Sequence, residues 1–185
     1  MGLLRALPFV LLMGVSTLAQ GTYGIGRTPT AEELRAWDIS IGPTGAELPP
    51  GRGTPKEGAQ IYAAKCAGCH GKTGTEGRAP ILKGKDEPTK DTWARGRILP
   101  IRAPFATIVW DFINRGMPLG KEGSLTPDEV YALTAFLLYK NDVLKSEDEV
   151  MDAQSLPKVK MPIGNDYASL PEWKPKTRRL PGYPY

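Results

Sequence analysis

Apolar residues gather into three stretches of helical period along this chain, two of them opened by a cap. Thr54-Pro55-Lys56-Glu57 places a hydroxyl at the N-cap, proline at the first helical position and a carboxylate two residues after the proline, the form of a capping box. It predicts a helix from 55 to about Ala67, with Ile61, Tyr62 and Lys65 in its last turns. Phe105, Ile108, Val109, Phe112 and Ile113 recur at i, i+3, i+4, i+7 and i+8, which predicts a second helix over 103–115, ended by Gly116. Thr126-Pro127-Asp128-Glu129 repeats the box and opens a third over about 127–140, where Val130, Leu133, Phe136, Leu137 and Leu138 make a broad apolar face and Asn141 a stop. Gly58 and Tyr62 lie one turn apart on one face. Glycine in a helix costs about 1 kcal/mol relative to alanine, so a close helix crossing at Gly58 is expected, with a tolerated surface glycine as the alternative.

Elsewhere the pattern is weak. Thr30-Ala31-Glu32-Glu33 is another capping box, before a short helix whose Leu34 and Trp37 share a face and are expected to dock on the main body. Residues 38–53 carry Pro43, Gly45, Pro49, Pro50, Gly51 and Gly53 and read as an extended connector. From Gly71 to Lys90 the chain reads as loop, with Ala79-Pro80-Ile81-Leu82 as its apolar island. The acidic run 142–151 has room for a weak turn or two, and 155–185 holds six prolines, Trp173, three tyrosines and a basic run around Lys174–Arg179. No packed core forms from such a tail alone. It must lie on the domain or embrace a partner.

Composition agrees with one helical domain carrying irregular extensions. The chain has 185 residues, with 18 prolines and 21 glycines, both above average usage. Residues 1–19 read as a secretory signal, with Arg5 as its positive region, Ala6–Val15 as the apolar run and Thr17-Leu18-Ala19 as the cleavage site. That run is short for a bilayer span, so no stable membrane span is expected, an uncleaved anchor being the alternative. No cysteine stands at the cleavage point, which excludes a lipoprotein. Without Arg5 the chain has 23 basic and 20 acidic side chains. With no basic stripe interleaved with aromatics, nucleic acid is not an expected partner.

The chemistry is concentrated in Cys66-Ala67-Gly68-Cys69-His70, the attachment signature of c-type haem. Two thiols three positions apart reach the two vinyl groups of one porphyrin, and the adjacent imidazole meets the iron. The chain has no other cysteine and no other histidine. The usual Cys/His zinc set therefore cannot be assembled, and a redox dithiol lacks its surrounding βαβ pattern. One covalent haem c is expected. Iron-ligating histidines give their second ring N–H to an acceptor that fixes the ring, and the Pro80 carbonyl is the candidate, with Leu82 covering the haem edge. Trp93, Arg95, Arg97 and Arg102 offer donors suited to haem propionates, or form a solvated basic loop. For the iron's other face, the thioether of Met117 leads, because Gly116-Met117-Pro118 is an irregular segment between two helices. Met161, a lysine or an open position are the alternatives. A His70/Met117 iron leaves no vacant site and limits the chemistry to one-electron transfer, whereas an open iron implies peroxidase-like or ligand-binding activity.

The order of capped helix, Cys66–His70, Pro80, Gly116-Met117-Pro118 and Leu125-Thr126-Pro127-Asp128-Glu129-Val130 resembles a class I cytochrome c over about residues 54–141. That implies an all-α class I cytochrome c fold, with Gly58 and Tyr62 crossing the last helix near Leu133 and Phe136, and a haem attached after secretion. Tyr23-Gly24-Ile25-Gly26-Arg27, Trp37-Asp38-Ile39, Val109 to Pro118, Tyr131 to Tyr139 and Leu156 to Pro162 are further similar to the cytochrome subunits of sulfur-oxidising dehydrogenases, the sulfane dehydrogenase of the Sox pathway and related sulfite dehydrogenases. The division this resemblance implies is a signal over 1–19, an N-terminal arm with a short helix over 20–53, a cytochrome c domain over 54–141 and a proline-rich arm over 142–185. It implies a periplasmic electron-transfer subunit without a catalytic site of its own. A molybdenum-cofactor dehydrogenase subunit is then the electron donor, and a cytochrome or oxidase lies downstream. A free, diffusible cytochrome feeding a terminal oxidase is the competing reading.

Overall fold

The computed structural model describes residues 26–84 and 98–163. The readings made for the 1–19 signal, Trp93, Arg95, Arg97, Trp173 and the Lys174–Arg179 run lie outside these residues. The chain divides into two units, Met1–Trp37 and Asp38–Tyr185.

In the first unit, α1 (Ala31–Trp37) forms where its cap predicts. Glu33 N–H donates to Thr30 Oγ1 at 3.2 Å, and Thr30 N–H donates to Glu33 Oε2 at 2.8 Å. Arg27 grips the same carboxylate, and its hydrogen bonds, followed by those from Thr30, hold the Glu33 carboxyl down to about 2. No residue of α1 is buried, and Leu34 and Trp37 are 55% and 85% exposed.

The second unit is built on the crossing of α2 (Pro55–Lys65) with α6 (Pro127–Lys140). Both helices carry complete capping boxes at Thr54 and Thr126, each with proline in the first turn. Gly58 makes the crossing: a Cβ there would lie 2.0 Å from the Ala132 carbonyl oxygen and 2.7 Å from Phe136 Cβ. The crossing falls where expected, near Leu133 and Phe136, with the backbone of Ala132 as the point of closest approach. Tyr62 and Phe136 rings then meet with centroids 5.1 Å apart. Lys65 Nζ donates to Glu129 across the same pair of helices at 2.5 Å.

α3 (Ala67–His70), α4 (Leu99–Arg102) and α5 (Ala106–Gly116) complete the helices of this unit. The helix predicted over 103–115 starts later, at Ala106. Ala103, the residue before Pro104, is held extended at φ −65°, ψ 129°, as a residue preceding proline prefers, so 99–102 forms a separate turn. α5 buries Val109 and Ile113 of the predicted stripe and leaves Phe105, Ile108 and Phe112 less covered. Ala106, Thr107, Val109, Trp110, Asp111 and Ile113 are buried, while Phe112 is 48% exposed and Phe105 and Ile108 are half-buried. Trp110 packs on Tyr131 of α6, ring centroids 5.5 Å apart.

The buried face of α5 is closed by the irregular segments. Asp111 Oδ1 accepts from Ile41 N–H at 3.0 Å, Tyr131 Oη donates to the Pro49 carbonyl at 2.9 Å, and Asp128 Oδ1 accepts from Arg52 N–H at 2.8 Å. The connector is therefore pinned along its length. β1 (Arg52–Gly53) pairs antiparallel with β2 (Met151–Asp152), Arg52 opposite Asp152 and Gly53 opposite Met151. The turns expected over 142–151 do not form as helix; Asp142 takes φ 61° and leads the chain back towards that pairing. Beyond the third long helix, Leu144, Met151, Leu156, Met161 and Ile163 are buried in the same core as Leu48, Val109 and Leu133, and a 3₁₀ turn covers Leu156–Lys158. To Ile163, then, the tail lies on the domain. The class is all-α, with that two-residue ribbon as the only strand pairing among the described residues.

Candidate haem site

α2 breaks at Cys66, and the break builds the site. The Cys66 N–H still bonds the Tyr62 carbonyl at 2.9 Å, but Cys66 itself takes φ −119°, ψ −36° and starts a new turn. Cys69 N–H and His70 N–H both bond the Cys66 carbonyl, at 3.1 and 3.0 Å. This turn sets the cysteines three residues apart and His70 four residues from Cys66, the spacings that share a helix face. Neither cysteine is in a disulfide, and Cys66 is half-buried and Cys69 exposed. Burial pushes the Cys66 thiol up to about 11. Arg78 donates to Cys69 Sγ at 3.5 Å.

His70 Nδ1 lies 2.8 Å from the Pro80 carbonyl oxygen. A carbonyl can only accept, so Nδ1 carries the hydrogen. The neutral ring then presents the lone pair of Nε2, the form in which histidine binds metal.

The loop that brings Pro80 back to His70 is tied at several points. Tyr62 Oη donates to the Gly71 carbonyl at 2.8 Å, and Ala79 N–H donates to the Cys69 carbonyl at 2.9 Å. Leu82 N–H bonds the Gly74 carbonyl at 2.8 Å, and the Leu82 carbonyl accepts from Asn141 Nδ2 at 2.9 Å. Inside the loop, Glu76 accepts from Thr73 N–H at 2.9 Å and from Thr75 N–H and Oγ1 at 3.1 Å, and also from the Thr73 hydroxyl. Hydrogen bonds from Thr73, then Thr75, hold this carboxyl down to about 2. Gly77 packs flat on the motif: a Cβ there would lie 2.1 Å from the Cys69 carbonyl oxygen and 2.3 Å from the His70 carbonyl carbon.

The structure thus brings Cys66, Cys69, His70 and Pro80 together, with Leu82 on the same loop. Met117 caps the C-terminus of α5, extended at φ −132°, ψ 149°, with its N–H on the Ile113 carbonyl at 3.0 Å. It is half-buried, and like Cys66, Ala67, Leu82, Leu99 and Ile108 it packs against the buried core without being covered by it. Met161, the competing thioether, is buried within that core. Arg102 closes α4 and is half-buried. Sequence reasoning missed Glu76, Gly77 and the second duty of Asn141. A signal for Glu76 was present, because Thr73-Gly74-Thr75-Glu76 has capping-box spacing but closes a loop instead of starting a helix.

Residues 53–137 match the family model described as cytochrome c oxidase, cbb3-type, subunit III. The chain is 36% identical over 120 residues to a thiosulfate dehydrogenase of Stutzerimonas stutzeri (strain A1501), across 55% of this chain and 35% of that protein. It therefore spans about a third of that relative's length. Its fold matches a chain in the crystal structure of the sulfane dehydrogenase SoxCD from Paracoccus pantotrophus with a TM-score of 0.67 and 34% identity, covering 79% of this chain and 71% of that one. The chain belongs to the cytochrome c family, and within it is related to thiosulfate dehydrogenase and to SoxCD.

That family implies haem c, and the residues present fit it. Two cysteines outside any disulfide and an imidazole whose Nδ1 is engaged by the Pro80 carbonyl stand on one turn. Leu82, on the loop that returns to this turn, is half-buried, and the chain also leaves apolar side chains uncovered at Phe112, 48% exposed, and Leu119, 85% exposed. Among the described residues no helix is long and apolar enough to cross a membrane.

Proposed function

We propose that this chain is a periplasmic monohaem c-type cytochrome that transfers single electrons as a subunit of a molybdenum sulfite or sulfane dehydrogenase. The observation that carries the haem reading is the His70 Nδ1–Pro80 bond at 2.8 Å, which fixes the ring plane and leaves Nε2 as the ligand atom. Cys66 and Cys69 would hold the group covalently, and His70 and Met117 would ligate its iron. Bound there, haem c supplies one-electron redox chemistry. His70 donates a lone pair made more basic by the Pro80 carbonyl. The Met117 thioether, a softer donor, raises the reduction potential and closes the site to exogenous ligands. Leu82, Ile108 and Phe112 exclude water.

The subunit reading rests on reach. The family model covers fewer than half of the residues, whereas the similarity to the SoxCD chain covers 79% of them at 34% identity, so it extends into the segments flanking the haem domain. Purification from the native periplasm at low salt tests it. Co-elution with a molybdoprotein that reduces the haem when given sulfite or a sulfane-sulfur substrate is expected. A monomer reduced by no such protein would favour the free carrier.

The similarity to thiosulfate dehydrogenase favours a second reading, in which the haem of this chain itself takes part in catalysis. Thiosulfate oxidation by the isolated chain separates the two, and none is expected.

A further inference from the structure

The segment from Gly71 to Pro80 does more than connect. It returns to the haem-binding turn at two adjacent bonds, Ala79 N–H to the Cys69 carbonyl at 2.9 Å and His70 Nδ1 to the Pro80 carbonyl at 2.8 Å. Immediately before them, Gly77 lies on the Cys69–His70 peptide so closely that an added Cβ would meet Cys69 O at 2.1 Å, His70 C at 2.3 Å and Gly71 N at 2.6 Å. All three are backbone atoms of the turn that carries the haem ligands, so none yields by a side-chain rotation. Glu76, the neighbouring residue, fixes this approach from the other side. Its carboxylate gathers the N–H groups of Thr73 and Thr75 and both their hydroxyls, and its side chain fills the space beside Gly71, where a Cβ would lie 2.7 Å from Glu76 Cδ.

From this geometry we propose that Gly77 is a positioning residue for the His70–Pro80 hydrogen bond and through it sets the reduction potential, with Glu76 holding the loop in place. The inference rests on the haem reading above. An acceptor on Nδ1–H raises the basicity of the ligating nitrogen and so favours the oxidised, more positively charged iron. A methyl at Gly77 must lift residues 77–80 off the turn, which lengthens the His70–Pro80 bond and weakens that preference. The potential then rises. A tenfold loss of the preference reads as a rise of about 59 mV for one electron.

The test is the midpoint potential of the purified holoprotein for wild type, Gly77→Ala and Glu76→Asp, with the proton NMR signal of His70 Nδ1–H followed in each. Glu76→Asp keeps the charge and shortens the reach by one methylene, so a change there is geometric. Both variants are expected to retain covalent haem, to shift the His70 Nδ1–H resonance and to raise the potential, Gly77→Ala by more. If Gly77→Ala fails to mature, Glu76→Asp decides alone. An unchanged potential and an unmoved resonance in a variant that carries haem overturn the proposal and leave the haem reading standing. A wild-type protein without covalent haem overturns the reading itself.

Discussion

A methyl built on Gly58 would sit 2.0 Å from the carbonyl oxygen of Ala132, so α2 and α6 touch backbone to backbone. Alanine is the better helix former by about 1 kcal/mol, yet Gly58→Ala is expected to destabilise, because both sides of the contact are rigid and overpacking of this kind costs about 1–3 kcal/mol. Gly68→Ala is the control. A Cβ there meets nothing within 4 Å, so the change is expected to be neutral or to stabilise by about 0.5–1 kcal/mol. Guanidinium unfolding of the two variants side by side checks the pair, and equal stabilities would refute the crossing.

This contact was readable in advance because glycine is costly inside a capped helix and has to be offset by something. The same holds for the three capping boxes and for Asn141, where local chemistry dictates local structure. The face of α5 was readable only in part. Of the stripe Phe105, Ile108, Val109, Phe112 and Ile113, Val109 and Ile113 are buried and the rest are not, because periodicity says only that a face avoids water and not what covers it. Here Trp110 packs on Tyr131 of α6, and the connector reaches Asp111 through Ile41 and Thr107 through Gly45, contacts between residues far apart in the chain. At the candidate site, the bond between His70 and the Pro80 carbonyl was legible from a motif and a spacing. Gly77 was not, because the reason for a glycine in a polar loop is a contact that appears only once the loop has folded back.

Asp111 carries much of that long-range closure. Its Oδ1 accepts from Ile41 N–H at 3.0 Å and from Arg115 Nε at 2.9 Å, and it is buried. Asp111→Ala leaves the Ile41 N–H unpaired and is expected to cost about 1–3 kcal/mol and to speed proteolytic cleavage between residues 38 and 48. Arg115 is exposed, so Arg115→Ala is expected to cost no more than about 1 kcal/mol. Limited proteolysis with mass mapping, together with chemical denaturation, distinguishes these outcomes. Similar losses in both variants would show that the ion pair, not the Ile41 bond, matters.

Tyr62 gives the site a dependence on alkaline pH. Burial raises its phenol to about 12, above the value of about 10 for a solvated tyrosine. The folded state therefore favours the protonated form. Its contribution is complete below about pH 10 and is lost as the pH rises through about 12. Tyr62→Phe removes the bond to the Gly71 carbonyl, and is expected to cost about 1 kcal/mol at pH 8. The stability gap between wild type and variant should close at the alkaline end. A gap that stays constant from pH 8 to 12 would show that the hydroxyl does not titrate with folding.

Met117 decides between a carrier of electrons and a binder of ligands. It is half-buried at the end of α5, in an extended conformation that commits its side chain to no helix face, whereas Met161 is buried in the core. Met117→Ala is expected to abolish the sulfur-to-iron charge-transfer absorption of the oxidised protein and to lower the reduction potential, since a thioether ligand raises it. Covalent haem should remain, because Cys66 and Cys69 are untouched. The reduced variant should bind carbon monoxide rapidly, and the reduced wild type should not. Met161→Ala removes core packing and is expected to cost about 2–5 kcal/mol with the absorption band intact. A band lost in Met161→Ala and kept in Met117→Ala would reverse the ligand assignment, and rapid carbon monoxide binding by wild type would remove the pure electron-transfer reading with it.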